Sequence, residues 1–267
     1  EIAEKHILAP YESNLIPLPH QILVLEKVMQ GVQTRFMLAD EVGMGKTIEA
    51  GLVLKEKKLR GEVKRILLVV PKSAMLQWQS EMKEHFAENF FIYDSDLITS
   101  MAKTFASFDA EEELNFWRQH NQIIVSIDAL KPIESRQGWN QERVDAYNKY
   151  RLEMVVNADF DMVIIDEAHR MGGSSTSVSR FKMAEVLCNA VPNLLLLTAT
   201  PHRGKSDHFR RLLQLMDADA FSGEGMPCIE DIQPYVMRSE KRFAVDYDGK
   251  KLFNERTTVR LDVLLDP

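Results

Sequence analysis

Short apolar runs recur along this chain, and each is followed by a longer amphipathic stretch. There are five of them, at residues 35–39 (RFMLA), 65–70 (RILLVV), 122–127 (QIIVSI), 161–166 (DMVIID) and 193–199 (NLLLLTA). Strands without polar alternation are typical of parallel sheets that are covered on both faces. Strand–helix–strand order then requires right-handed crossovers. The pattern predicts an α/β fold with a doubly wound, mainly parallel sheet flanked by helices.

Two of the stretches between these runs predict helices directly. Residues 46–60 (KTIEAGLVLKEKKLR) end at Gly61, a residue suited to the position after a helix. After the second run, Leu76, Met82 and Phe86 recur with helical spacing. Ligands of such sheets bind at the carboxyl ends of the strands, so the chemical residues are expected just after the apolar runs.

The segment LADEVGMGKTIEAG, residues 38–51, is a phosphate-binding loop with one glycine missing, because Asp40 stands where the standard pattern begins. Gly43 and Gly45 allow close backbone approach to a phosphate. Lys46 offers a charge for the β- and γ-phosphates, and Thr47 offers a hydroxyl to Mg²⁺. Asp40 is tolerable at the start of a turn because its side chain can cap local N–H groups. An incidental glycine turn is disfavoured by the strand before it and the helix after it.

Two carboxylates end the fourth apolar run. Asp166 and Glu167 suit two tasks, holding Mg²⁺ and deprotonating an attacking water. Alone they would equally fit an exposed acidic loop, but with a phosphate loop expected on a neighbouring strand they indicate ATP hydrolysis. Thr198 and Thr200 end the fifth run, where their hydroxyls are expected to bond the acidic cluster and sense the γ-phosphate.

The net charge of −7 confines any nucleic-acid site to a local patch. The candidate patch follows the fifth run and has two open interpretations, a phosphate contact or a solvated helix start; its cations are Arg203, Lys205, Arg210 and Arg211. Cys188 and Cys228 lack companion histidines at ligand spacing, which argues against zinc and disulfides and favours a reducing cytoplasm. No apolar run has the length of a membrane helix. The first residues carry no initiator Met, as expected for a piece of a longer protein.

The segments DEVGMGKT, DEAH and TATP, in this order, resemble the first RecA-like lobe of superfamily-2 helicases and translocases. The version of the loop that begins ADEVGMGKT is similar to the Swi/Snf-related branch, and within it to bacterial RapA-like members. The resemblance implies that residues 1–267 form one RecA-like ATP-binding lobe. Residues 131–160 are polar and interrupt the strand–helix pattern, which predicts a helical insertion on the surface. Residues 257–265 alternate like a strand, and the resemblance implies that this strand leads toward a second lobe.

This resemblance assigns further roles, which remain expectations. The segment IPLPHQ is similar to an adenine-recognising motif, with Gln21 reading the base. Lys72 and Ser73 match a motif that grips a nucleic-acid backbone at a helix N-terminus, and Ser126 matches a second such motif. His169 is expected to couple the sites, while His202 and His208 are not metal ligands. The expected ATP contacts are Gln21, Asp40, Glu41, Val42, Gly43, Met44, Gly45, Lys46 and Thr47.

The resemblance implies an ATPase that uses ATP and Mg²⁺ and translocates on or remodels double-stranded DNA complexes in the bacterial cytoplasm or nucleoid. A strand-separating DNA or RNA helicase and a non-hydrolysing ATP switch stay open as alternatives, although Glu167 favours the motor. A phosphate-loop kinase lacks an acceptor-binding segment. The second lobe, with its arginine finger, is absent from these residues, so the chain alone is expected to hydrolyse ATP poorly.

Overall fold

The computed structural model describes residues 6–31, 34–106, 115–172, 178–201, 206–223 and 225–254. Within them, seven parallel strands form one sheet in the order β3-β4-β2-β5-β6-β1-β7. The strands are β1 Arg35–Leu38, β2 Ile66–Val70, β3 Phe91–Tyr93, β4 Gln122–Ser126, β5 Met162–Ile165, β6 Asn193–Leu197 and β7 Val236–Met237. The predicted fold class is therefore confirmed, and the described sheet is wholly parallel.

Helices cover both faces of the sheet. They are α1 Pro19–Met29, α2 Lys46–Leu59, α3 Met75–Phe86, α4 Ser95–Ala106, α5 Ile127–Leu130, α6 Gln141–Val156, α7 Val178–Asn189, α8 Ser206–Met216 and α9 Ile229–Ile232. Alternate residues of β2 point into two separate cores: Leu68 packs with the residues of α1, α2 and α3, and Val69 packs with those of α4, α6, α7 and α8. The uninterrupted apolar runs follow from this burial on both faces.

The predicted helix at 46–60 is borne out by α2, whose last residue is Leu59, and Gly61 follows with a φ of 71°. The predicted phase of α3 was wrong at one position. Leu76 is 73% exposed, and the buried stripe consists of Met75, Trp78, Met82 and Phe86. The buried stripe therefore begins at Met75, one residue before Leu76, and Trp78 supplies its next side chain.

Long-range contacts hold the helices against the sheet and against each other. Arg35, at the start of β1, donates five hydrogen bonds to carbonyls near the ends of α7 and α8, at 2.6 to 3.2 Å from their oxygens. Gly51 of α2 has no room for a side chain, because a Cβ atom there would lie 2.1 Å from the Phe86 ring of α3. The close approach of Gly51 to Phe86 packs the helix after the phosphate loop against the helix after β2.

The predicted surface helix between 131 and 160 corresponds to α6, in which only Val144 and Val155 are buried. That this segment is an insertion stays a prediction. The strand expected at 257–265 lies outside the described residues. No helix of the part that the structure describes combines the length and the apolar character needed to cross a membrane.

Candidate ATP site

The phosphate loop joins β1 to α2 and is shaped by two glycines with left-handed backbone. Gly43 has a φ of 83° and Gly45 a φ of 88°, values that L side chains rarely adopt. A Cβ atom on Gly45 would lie 2.4 Å from Nε2 of Gln21. Lys46 begins α2 and donates from Nζ to the carbonyls of Asp40 at 2.8 Å and Glu41 at 3.3 Å. The helix N-terminus and these glycines make a compact anion site.

The structure explains why Asp40 replaces the usual first glycine. Its side chain is fully buried, and Oδ1 accepts a hydrogen bond from the backbone N–H of Ser239 at 2.7 Å. Oδ2 faces Glu49 of α2, which is also fully buried. The Oδ1 bond to Ser239 anchors the loop to the chain after β7, and the predicted contact of Asp40 with ATP stays a prediction. The backbone carbonyl of Asp40 accepts the hydrogen bond from Lys46.

Glu49 was missed by the sequence analysis. Burial raises the pKa of this carboxyl well above its usual value, and the neighbouring Asp40 raises it further, while Lys46 lowers it. His20, Asp40 and Glu49 offer ligand atoms within 4.8 Å of one another. Two facing acids need only one shared proton to become a hydrogen-bonded pair, and the raised pKa favours that arrangement over a cation.

Gln21, the predicted adenine reader, is 4% exposed and bonds to backbone at both ends of its amide. Oε1 accepts from the N–H of Leu18 at 2.9 Å, and Nε2 donates to the carbonyl of Met44 at 3.3 Å. His20 Nε2 lies 2.9 Å from the same carbonyl. Gln21 therefore ties α1 to the phosphate loop, and its contact with adenine stays a prediction.

The carboxylates after β5 are held in a strained turn. Glu167 has a φ of 49°, which a non-glycine residue adopts at a cost of about 1–3 kcal/mol and which is common at functional sites. Asp166 accepts hydrogen bonds from Nε1 of Trp78 at 3.0 Å and from the N–H of Glu167 at 2.8 Å. Burial raises the pKa of Asp166, and these bonds and the Lys46 charge partly offset the effect.

His169 connects the carboxylates to the end of β6. Its Nδ1 lies 3.0 Å from Oε2 of Glu167 and 3.1 Å from the hydroxyl of Thr198. Thr198 is buried and also accepts a hydrogen bond from the N–H of Thr200 at 3.2 Å. The hydroxyl of Thr198 therefore reaches the acidic cluster through His169, whereas the sequence analysis expected a direct bond. The sequence analysis also expected the strand before the phosphate loop and the strand before the carboxylates, β1 and β5, to be neighbours. This was wrong, because β6 lies between them.

The predicted nucleic-acid residues follow the other half of the sheet. Lys72 and Ser73 are exposed in the single 3-10 turn Lys72–Ala74 that precedes α3. Ser126 differs, because it is 3% exposed and its hydroxyl caps α5 by accepting from the N–H of Ala129 at 3.0 Å. Contacts of all three with nucleic acid stay predictions, and burial makes Ser126 the weakest of them.

The basic patch is described only in its second half, since Arg203 and Lys205 lie outside the described residues. Arg210 donates to the carbonyl of Gly223 at 2.7 Å, and Arg211 donates to that of Gly172 at 2.9 Å. These two cations therefore serve contacts within the chain. Another cation was not singled out by sequence: Nζ of Lys241 would lie 3.6 Å from a Cβ atom on Gly43, beside the phosphate loop.

The geometry suits a magnesium nucleotide. Thr47 and Asp166 are the hard oxygen donors that Mg²⁺ prefers, and the Asp166 carboxylate is half-buried and oriented by two hydrogen bonds. Glu167 keeps 40% of its side chain exposed, so its carboxylate is accessible to water. The residues thus fit the group that the sequence implied.

This chain is similar to bacterial proteins of known name. The RNA polymerase-associated protein RapA of Actinobacillus succinogenes is 37% identical over 206 residues, and that of Yersinia pestis (strain Pestoides F) is 36% identical over 207; each match covers 76% of this chain and 19% of the relative. The chain therefore spans about a fifth of the length of these relatives.

A solved SWI2/SNF2 ATPase core from Sulfolobus solfataricus, in complex with dsDNA, shares the fold. The TM-score is 0.63 at 18% identity, with 88% of this chain and 47% of that chain covered. The sequence model of the SNF2-related domain matches residues 20–225. The predicted membership in the Swi/Snf-related branch is confirmed: this chain belongs to the SNF2-related domain family.

Proposed function

We propose that this chain is the ATP-binding lobe of a DNA-dependent ATPase that translocates on, or remodels, double-stranded DNA complexes. The observation that carries the proposal is the joint placement of Lys46, Asp166 and Glu167 at one edge of the sheet. Lys46 is close enough to Asp166 to lower its pKa. A binding switch that never hydrolyses ATP would not need a strained turn that presents Glu167 to water.

Each residue has a distinct chemical role in this proposal. The loop amides and Lys46 bind the phosphates, and Thr47 and Asp166 hold Mg²⁺. When bound, Mg²⁺ neutralises charge that develops on the phosphoryl group. Glu167 orients the attacking water and accepts its proton, while the bond to His169 fixes the direction of the carboxylate.

His169 and Thr198 are proposed to report the state of this site to the rest of the lobe. His169 is 5% exposed, and its Nδ1 contacts both the carboxylate of Glu167 and the hydroxyl of Thr198. A change in the position of Glu167 would therefore reach the end of β6 through this shared contact at Nδ1 of His169. The segment that follows β6 leads to α8, which packs on the opposite core from α2.

The proposed nucleic-acid substrate is duplex DNA. The Sulfolobus solfataricus ATPase core was solved in complex with dsDNA, and the turn Lys72–Ala74 offers the exposed side chains of Lys72 and Ser73 at a helix N-terminus. Backbone contacts of this kind read phosphates and not base edges, so little sequence preference is expected. The RapA relatives are bacterial and associated with RNA polymerase, which supports action in the bacterial cytoplasm or nucleoid.

The active unit is proposed to include a second RecA-like lobe in the longer protein. In related hydrolases an arginine from outside the phosphate loop raises the rate by about 10³–10⁵. Without such a residue this chain is expected to bind ATP weakly and to turn it over slowly.

Two substitutions in the full-length protein test the assignment. Lys46→Ala should abolish binding of a fluorescent ATP analogue, because it removes the charge at the start of α2. Glu167→Gln should retain binding and reduce turnover by about 10²-fold or more, since the proton acceptor is lost. A Gln variant with normal turnover would contradict the role of Glu167, and an Ala variant with normal binding would contradict the phosphate site.

A further inference from the structure

Trp78 of α3 contacts the proposed metal-binding carboxylate although no motif assigns it a chemical role. Its indole Nε1–H donates to Oδ2 of Asp166 at 3.0 Å. The ring is 2% exposed and packs in the core with α1 and α2. The other oxygen of Asp166 accepts from the N–H of Glu167 at 2.8 Å. Each oxygen of this carboxylate therefore has a fixed donor, and its rotation is restricted.

The same helix continues from the turn that is proposed to contact the DNA backbone. Lys72 and Ser73 are exposed in that turn, and Trp78 lies in the first part of α3. The strands below are neighbours in register, with Val69 of β2 beside Ile165 of β5. The N–H of Asp166 also donates to the carbonyl of Val69 at 2.9 Å. A shift of α3 relative to the sheet would therefore move the indole against Asp166.

We propose that Trp78 is a positioning residue that orients the Asp166 carboxylate for Mg²⁺ and transmits nucleic-acid contact at residues 72–74 to the ATP site. This inference rests on the proposed function, because it needs both ligands. Mg²⁺ demands near-ideal octahedral geometry, so the direction of a ligand carboxylate matters. Loss of such an orienting partner typically costs 10–100-fold in metal affinity or activity.

The chain offers a matched control for the packing of a large indole. Trp117 is also 2% exposed, but it packs in the opposite core, with Tyr93 and Phe116. Trp117→Phe therefore removes similar buried area without touching Asp166. Trp78→Phe removes the donor together with part of the ring. Replacing Trp78 by benzothienylalanine, in which sulfur takes the place of the indole N–H, removes the donor and keeps the shape.

The experiment measures binding of a fluorescent ATP analogue to the full-length protein while Mg²⁺ is varied, with and without duplex DNA. Both Trp78 variants should raise the Mg²⁺ concentration at half-saturation by about 10-fold, and the affinity in EDTA should not change. Trp117→Phe should leave both values unchanged. In the unsubstituted protein DNA should lower the half-saturating Mg²⁺ concentration, and this effect should disappear in the Trp78 variants.

Three results would overturn the inference. The first is an unchanged Mg²⁺ half-saturation in the benzothienylalanine protein, and the second is an equal change in Trp117→Phe. The third is an absent DNA effect in the unsubstituted protein, which would remove the transmission role. Failure of the proposed function gives different results. Without an ATP site, the unsubstituted protein would show no Mg²⁺-dependent nucleotide binding at all, and a non-hydrolysing switch would bind the Mg²⁺-nucleotide without turning ATP over.

Discussion

Replacement of Glu49 by Gln should make the lobe more stable at neutral pH. Glu49 and Asp40 are fully buried, and the Glu49 oxygens and Oδ2 of Asp40 have no donor among the described groups around them. A proton on Glu49 supplies that donor, and burial and Asp40 both raise the pKa of Glu49 to favour it. Gln carries a permanent N–H donor of nearly the same shape, so Glu49→Gln should preserve the contact at every pH.

The sign and size of the effect follow from proton linkage. The unfolded chain loses the Glu49 proton near the usual value of 4.5, while the folded chain keeps it. Above that pH the unfolded state binds fewer protons than the folded state. The free energy of unfolding therefore falls as pH rises, by up to about 1.4 kcal/mol per pH unit until the folded pKa is reached. The Glu49→Gln variant has no such proton to lose. The difference in free energy of unfolding between this variant and the parent should therefore grow from acid toward neutral pH.

The assay is urea unfolding of the lobe at about pH 5 and about pH 7, followed by tryptophan fluorescence. Glu49→Ala provides the contrast, because it should be less stable than Glu49→Gln by about 1–3 kcal/mol for the unsatisfied Asp40 carboxylate, with a further loss from the cavity. His20 and Lys46 also face this pair and are unchanged in both variants. If the Gln variant and the parent showed the same pH dependence, Glu49 would be ionised in the fold and the shared-proton explanation would be refuted.

Three further positions test long-range contacts of the lobe by urea unfolding, and one of them also by NMR titration. Arg35→Met should cost about 3 kcal/mol or more, because it leaves four backbone carbonyls without their charged donor; a loss below about 1 kcal/mol would contradict this. Gly51→Ala should lower the free energy of unfolding by about 1–3 kcal/mol through overpacking against Phe86, and the better helix propensity of Ala should offset about 1 kcal/mol of that loss. Adding Phe86→Leu to Gly51→Ala should restore part of the lost stability, because it removes the clashing ring. The Tyr235 hydroxyl donates a hydrogen bond to Asp217, so Tyr235→Phe should lower the free energy of unfolding by about 1 kcal/mol. It should also raise the lowered pKa of Asp217 in an NMR titration, so that less stability is lost on acidification. An unchanged Asp217 pKa would exclude this hydrogen bond.

The central strands could be predicted because burial on both faces leaves an uninterrupted apolar run. The sequence analysis did not predict the two edge strands, because β3 has three residues and β7 has two, and neither is long enough to give a periodic signal. The phosphate loop and the carboxylates after β5 were readable because their residue types and order are specific to nucleotide chemistry. The order of the strands was not readable, and so β1 and β5 were wrongly expected to be neighbours.

The parts of the site that sequence analysis missed depend on contacts distant in the chain. Asp40 is anchored by Ser239, and Trp78 bonds to Asp166, although no local pattern connects either pair. Glu49 appeared only as one polar residue of a helix, since nothing in the sequence shows that it is buried. A buried polar atom becomes recognisable only when the neighbouring elements have been placed.

The most direct test of the account is steady-state ATP hydrolysis by the full-length protein, with duplex DNA, single-stranded DNA or RNA added in turn. The account predicts strong stimulation by duplex DNA, weak stimulation by the other two, and loss of hydrolysis in Glu167→Gln. Stronger stimulation by RNA or single strands would contradict the duplex translocase. Absence of turnover under every condition would contradict the ATPase itself and leave a binding switch as the function of this lobe.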